Sequence, residues 1–173
     1  MKKELKKILV LLLVSMFVVA STTIGFAIPV TSENALRIHD DAIVIDTHND
    51  TMTRVIDRNT WLPVNDIGSL TSGQLDIPKM EAGGLDVAFF GSYTGGYTEI
   101  GRAGSRLLAL INALHWTERM NSEKFGLATS VNEIEKLVHE GKSVGVPTIE
   151  GAYSLEEYNA IELLHQYYDL GIR

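Results

Sequence analysis

Apolar residues recur along this chain in two rhythms. Short continuous runs rich in β-branched and aromatic residues mark strands buried on both faces, the kind found in parallel sheets. They are Ala42-Ile43-Val44-Ile45, then Leu85 to Tyr93 through Val87, Ala88, Phe89 and Phe90, then Val144 to Ile149. Between them the apolar positions fall at helical intervals. The segment Thr31 to Asp41 reads as a short helix with Thr31 or Ser32 as N-cap and Ala35, Leu36 and Ile38 as its apolar positions. The clearest helix is Ala103 to Met120, with Leu107, Leu108, Leu110, Ile111, Leu114 and Met120 on its apolar face. Ser130 and Glu133 have capping-box spacing ahead of Ile134, Leu137 and Val138, and Ser154 and Glu157 repeat it ahead of Ile161, Leu163 and Leu164. Ile77 to Ala82 holds one helical turn with Pro78 suited to its first position, and Gly83-Gly84 breaks it. Residues 56 to 76 lack periodicity and read as a long loop, while Leu170-Gly171-Ile172-Arg173 leads toward a fourth strand.

Buried strands alternating with helices predict βα units and a parallel sheet. An open doubly wound sheet and a closed (β/α)8 barrel both fit that alternation. No Gly-x-Gly-x-x-Gly follows the first strand, which argues against a dinucleotide-binding fold.

The start of the chain follows another pattern. Lys2, Lys3, Lys6 and Lys7 precede a 13-residue apolar run, Ile8 to Ala20, broken only by Ser15. Gly25-Phe26-Ala27 then places small residues where a signal peptidase reads them, so residues 1–27 read as a secretory signal and 28–173 as the mature chain. The run is short for a bilayer-spanning helix, which needs roughly 20 residues. Left uncleaved, it would anchor the chain at a membrane. The chain has no cysteine, so an exported product relies on its core, on metal or on partners rather than on disulfides. The formal charge is −7; without residues 1–27, which hold four lysines and one glutamate, it is −10. No basic patch of the kind that binds nucleic acid is visible.

Two strand ends carry chemistry. The first strand runs into Asp46-Thr47-His48-Asn49-Asp50. Residues i and i+2 of an extended segment point the same way, so an imidazole and a carboxylate converge where parallel α/β folds place their active sites. Both groups suit zinc. The competing reading is an Asx-type turn in which Asp50 caps the next segment. Glu150 follows the Val144 to Ile149 strand. A buried carboxylate needs a partner, either a metal ion or an arginine, unless it turns to solvent at the Gly151 bend. Phe90-Gly91-Ser92-Tyr93 supplies an aromatic and hydroxyl wall at a third strand end.

Taken in order, these segments resemble a known family. Val44-Ile45-Asp46-Thr47-His48-Asn49-Asp50 resembles the (V/I)-D-G-H-N-D start of the membrane (renal) dipeptidases, peptidase family M19. Gly83 to Phe90 resembles that family's Gly-Gly segment and second strand, Ile149 to Leu155 its I-E-G-G-H-S-L segment, and Leu170 to Arg173 the start of its following strand. The resemblance implies a partial (β/α)8 barrel of the metal-dependent hydrolase type, its first three to four βα units, with a binuclear zinc site. Carried over by position, His48 and Asp50 bind one zinc, and Glu150, the catalytic residue, bridges both. A bridged water or hydroxide attacks the peptide carbonyl of a dipeptide. Thr47, Ala152 and Tyr153 depart from the pattern, which has Gly, Gly and His there. The remaining ligands, two histidines on later strands, find no match in these 173 residues, so the chain is expected to be an incomplete fragment.

The other histidines do not fill that gap. His39 and His139 lie near helix ends, and His115 and His165 within helices. All four read as structural or surface groups, and Trp61 and Trp116 as packing residues. Two rival functions remain open: another metal-dependent amidohydrolase with the same half-site, and a truncated, non-catalytic product that binds metal or a partner. An open half-barrel would expose an unpaired strand edge and so tend to form a homodimer.

Overall fold

The computed structural model describes residues 33–97 and 101–173. The expected signal segment and the candidate caps Thr31 and Ser32 lie outside the described residues. The chain divides into two compact units, residues 1–38 and 39–173. Of the first, the described part is the opening of helix α1 (Glu33–Asp41), in which Leu36 and Ile38 are exposed. No helix among the described residues is long and apolar enough to cross a membrane.

The second unit is built on a four-stranded parallel sheet. Its strands are β1 (Ile45–Asn49), β2 (Val87–Tyr93), β3 (Phe125–Leu127) and β4 (Ser143–Glu150), in the spatial order β1-β2-β4-β3. The helices after α1 are α2 (Met52–Val55), α3 (Ile77–Gly83), α4 (Ala103–Met120), α5 (Val131–His139) and α6 (Ala160–Asp169). The three expected strands thus lie side by side.

Three expectations need correction. The first strand begins three residues later than Ala42-Ile45 and carries His48 within it. It is also not buried on both faces: Ile43 and Ile45 are 43% and 45% exposed. Among the described residues β1 pairs only with β2, so it is an edge strand. The second correction is β3, which sequence periodicity missed. Three residues, Phe-Gly-Leu, are too few to show an alternation. The strand forms because Phe125 to Leu127 pair with Ser143 to Gly145 of β4. The third concerns Ser154. Helix α6 starts six residues after it, at Ala160, with Asn159 as a cap that makes no side-chain bond. Ser154 is instead buried, and its carbonyl accepts a hydrogen bond from the Tyr167 hydroxyl at 3.0 Å.

Other local rules hold. Asp76 caps α3 by accepting from the Lys79 N–H, and Pro78 sits in the first turn. Gly84 ends that helix at φ 62°, where a side chain would also meet the His39 ring at 2.6 Å. The His39 Nε2 donates to the Gly83 carbonyl at 3.0 Å, so this histidine secures a helix end. Ser130 caps α5 by accepting from the Glu133 N–H. The Glu133 carboxylate reaches back one residue further than a capping box requires, to the Thr129 N–H at 2.7 Å.

Alternation along β2 splits the core. Ala88 and Phe90 pack with Leu110, Ala113 and Leu114 of α4, with Met52 and Val55 of α2, and with Trp61 and Phe125. Val87 faces the other way, with Val144 and Val146 of β4, against which Ile134, Leu137 and Val138 of α5 pack. Tyr167 of α6 joins Leu107 and Ile111 of α4 and Ile172 in a third cluster. At Arg173 the backbone N–H bonds the Pro147 carbonyl of β4 at 2.9 Å, beyond the stretch of that edge which β3 occupies.

Candidate metal centre

The start of β1 is pinned to β2 by Asp86. Its carboxylate accepts from the Val44 N–H at 2.7 Å, and the Val44 carbonyl accepts from Asp86 and Val87. The ladder then shifts register between Asp46 and Asn49. The irregularity is stabilised locally: the His48 N–H bonds Asp46 Oδ1 at 3.1 Å, and the Asn49 amide bonds the Phe89 carbonyl at 3.0 Å. The strand ends at Asn49, so Asp50 is not held beside His48 by regular strand alternation as expected. It comes close because the chain turns there into α2.

That turn is made by Asn49, not Asp50. The Asn49 side-chain oxygen accepts from the Thr51 N–H at 3.2 Å. Asp50 contributes only its carbonyl, which accepts from the Thr53 N–H and hydroxyl. Its carboxylate is left facing His48, with Oδ1 3.9 Å from the imidazole Nε2. The capping alternative for Asp50 is thereby removed.

Glu150 arrives at the same place from β4. Its Oε2 lies 3.3 Å from His48 Nε2. One ligand atom each from His48, Asp50 and Glu150 lies within 4.8 Å of the others. A nitrogen and two carboxylate oxygens at such separations fit a divalent cation of the zinc class, whose bonds to these donors are about 2.0–2.2 Å long. The donors stand on an open surface rather than in a closed cavity, with side chains 52%, 56% and 39% exposed. A cleft of about 470 Å³ along β1 is lined by Asp50 with Asp46, Thr53, Arg54 and Leu75, and contains neither His48 nor Glu150. A second cleft, of about 450 Å³, is lined by Thr51, Arg54 and the 64–75 loop and contains none of the three.

The wall expected from Phe90-Gly91-Ser92-Tyr93 reaches the site through Tyr93, while Phe90 turns into the core with Ala88. The partner of Tyr93 and the part played by Gly91 are not legible in the sequence. Tyr93 pairs in register with Glu150 across β2 and β4, and its ring meets Tyr153 edge-on, centroids 5.7 Å apart. Gly151 takes a φ of 72° between Glu150 and that tyrosine. Gly91 lies under the His48 ring: a Cβ there would be 2.7 Å from Cε1. The remaining residues stay away from the centre. His115 lies 3.9 Å from Glu118 on the surface of α4. Trp61, at a φ of 61°, is packed in the core beneath the Arg102 and Arg106 guanidinium groups.

Comparison with known proteins bears on the fold and the family. Among solved structures, the chain is similar to the dipeptidase AC, a metallopeptidase of family M19, with 27% identity and a TM-score of 0.62 over 76% of this chain and 41% of that one. A metallopeptidase from Rhodobacter sphaeroides, liganded with a phosphinate mimic of the dipeptide L-Ala-D-Ala, shares the fold at 24% identity and a TM-score of 0.60, covering 76% of this chain and 44% of that one. The probable dipeptidase PvdM from Pseudomonas aeruginosa does so at 19% and 0.65, covering 82% and 36%. The chain therefore spans about two fifths of the length of these structures. The family model described as membrane dipeptidase, peptidase family M19, matches residues 32–173. With that match across most of its length, the chain belongs to the membrane dipeptidase family, peptidase family M19.

Proposed function

We propose that this chain contributes the first half-site of a zinc dipeptidase, with His48, Asp50 and Glu150 as metal ligands. The observation that carries the reading is the convergence of Glu150 with His48 and Asp50 from 100 or more residues away, at the ends of two strands that are not neighbours. When bound, zinc supplies Lewis acidity and makes a water acidic enough to attack a carbonyl near neutral pH.

The chain's own residues do the rest. His48 presents an imidazole nitrogen as donor; Asp50 and Glu150 would offset the positive charge of the metals and, without it, would repel each other. Glu150 has the larger task, because the resemblance makes it the bridge between two metals. Tyr93 and Tyr153 wall the mouth of the site on the Glu150 side. Three donors are fewer than the five that the resemblance implies. We therefore expect the 173-residue chain to bind zinc weakly and to cleave dipeptides only when two further imidazoles are supplied. We also propose that the protein is exported, with Ile28 as its mature N-terminus; sequencing of secreted protein from its N-terminus reads this directly, and an intact Met1 in a membrane fraction contradicts it.

The experiment is dipeptide hydrolysis in the presence of zinc by a chain extended with the later strands of a family member. Activity should appear and be abolished by Glu150→Gln, which keeps the size of the side chain and removes its charge. Activity unchanged by Glu150→Gln, or zinc-dependent hydrolysis by the unextended chain that is lost on mutating His48, would contradict the proposal.

A further inference from the structure

β1 and β4 do not touch; β2 lies between them. Adjacent strands stand about 4.8 Å apart, so side chains on β1 and β4 must bridge roughly 10 Å across the face of β2 to meet. His48 and Glu150 do so, with 3.3 Å between Nε2 and Oε2. What β2 presents along that path decides whether they can. In the ladder Gly91 pairs with Thr148 of β4, two residues short of the Tyr93–Glu150 pair. Gly91 and Tyr93 share a face of the strand, since they are two residues apart. A tyrosine thus closes the strand end, and the position before it on that face has no side chain.

The His48 ring occupies the space left there. A Cβ on Gly91 would lie 2.7 Å from Cε1 and 3.3 Å from each ring nitrogen. The first distance is well inside van der Waals contact, so a side chain here would force the His48 ring to shift from the position that sets Nε2 beside Asp50 and Glu150. Among the described residues no hydrogen bond holds Nδ1. The usual device that fixes a metal-binding histidine, a hydrogen bond to its second nitrogen, is replaced here by packing on bare backbone.

We infer that Gly91 is a positioning residue for the metal centre: its missing side chain lets His48 cross β2 and sets the direction of Nε2. The inference rests on the assignment of His48, Asp50 and Glu150 as ligands. Gly83, at the end of α3, has nothing within 4 Å of where its Cβ would be and serves as a control glycine.

The test is metal binding by the 173-residue chain, not turnover. Zinc affinity is measured by competition with a chromophoric chelator, and ligand geometry by the visible absorption of the cobalt(II) form. The proteins are the natural chain, Gly91→Ala, Gly91→Val and Gly83→Ala. Far-UV circular dichroism and thermal melts establish that each is folded, and Gly91→Ala, the smaller change, serves should Gly91→Val not fold. The expected result is a loss of zinc affinity of about tenfold or more in Gly91→Val, less in Gly91→Ala, with altered cobalt bands in both. Gly83→Ala should match the natural chain. Equal affinity and identical cobalt spectra in folded Gly91 variants overturn the role of Gly91. Absence of zinc binding by the natural chain overturns the ligand assignment instead, so the two failures are distinguishable.

Discussion

The imidazole of His48 reaches over β2 to the carboxylate of Glu150, leaving 3.3 Å between Nε2 and Oε2. Two residues separated by 102 positions thus share one site. The parallel sheet makes this possible by bringing the C-terminal ends of β1, β2 and β4 to one side, which is where α/β folds gather their chemistry. Asp50 joins because Asn49, one residue earlier, makes the turn and frees the next carboxylate.

Stability rests partly on a buried carboxylate, distant from that site, paired with a partly exposed lysine. Asp76 is fully buried and accepts from the Lys79 ammonium, the Thr71 N–H and the Thr71 hydroxyl. Burial pushes its carboxyl upward, but the bonds from Lys79 and Thr71 outweigh that and hold it at about 2, against an ordinary 3.8. A depressed folded pKa stabilises the native state above the ordinary value, and that contribution disappears as pH falls from 3.8 through about 2. Urea titrations at neutral pH should show Asp76→Ala losing about 2–3 kcal/mol. The difference between natural chain and variant should narrow as pH is lowered through that window. A difference that stays constant would contradict the assigned ionisation.

The short strand β3, paired with β4, carries one buried aromatic anchor. Phe125 is buried and meets Phe90 of β2 edge-on, centroids 6.1 Å apart. Phe125→Ala should cost about 3–4 kcal/mol in equilibrium unfolding, through lost burial and the cavity left behind. A cost below about 1 kcal/mol would mean that β3 closes over the gap and is not anchored by this ring.

Tyr153 occupies a position where the family pattern has histidine, and it packs on Tyr93 while 44% exposed. A double-mutant cycle with Tyr93→Ala and Tyr153→Ala should give a coupling of about 0.5 kcal/mol, the low end for edge-on aromatic pairs because both rings keep water on one side. Zero coupling would show that the two rings do not pack together in solution.

Much of this was legible in the residues themselves. The continuous apolar runs marked β2 and β4, and the Ala103–Met120 periodicity gave α4 with the bounds observed. The His48–Asp50 spacing and the position of Glu150 after a strand named the three candidate ligands that the fold brings within 4.8 Å of one another, although a turn at Asn49 rather than strand alternation places Asp50 there. What periodicity could not supply is instructive. A strand of three residues, β3, exists only through its partner. The three-residue displacement of β1 follows from pairing with β2 and from the register shift at Asp46–Asn49, neither of which leaves a mark in hydrophobicity. The Ser154–Glu157 spacing matched a cap, but tertiary packing took Ser154 into the core beside Tyr167. Gly91 was unreadable for a related reason: a glycine in a strand signals a close approach but does not say which side chain makes it.

The most direct test of the ligand assignment is anomalous diffraction at the zinc edge from crystals of the protein grown with zinc. The expected result is a zinc peak about 2.0–2.2 Å from His48 Nε2 and from a carboxylate oxygen of each of Asp50 and Glu150. A zinc peak elsewhere on the chain, or none between these three side chains at saturating metal, would contradict the account.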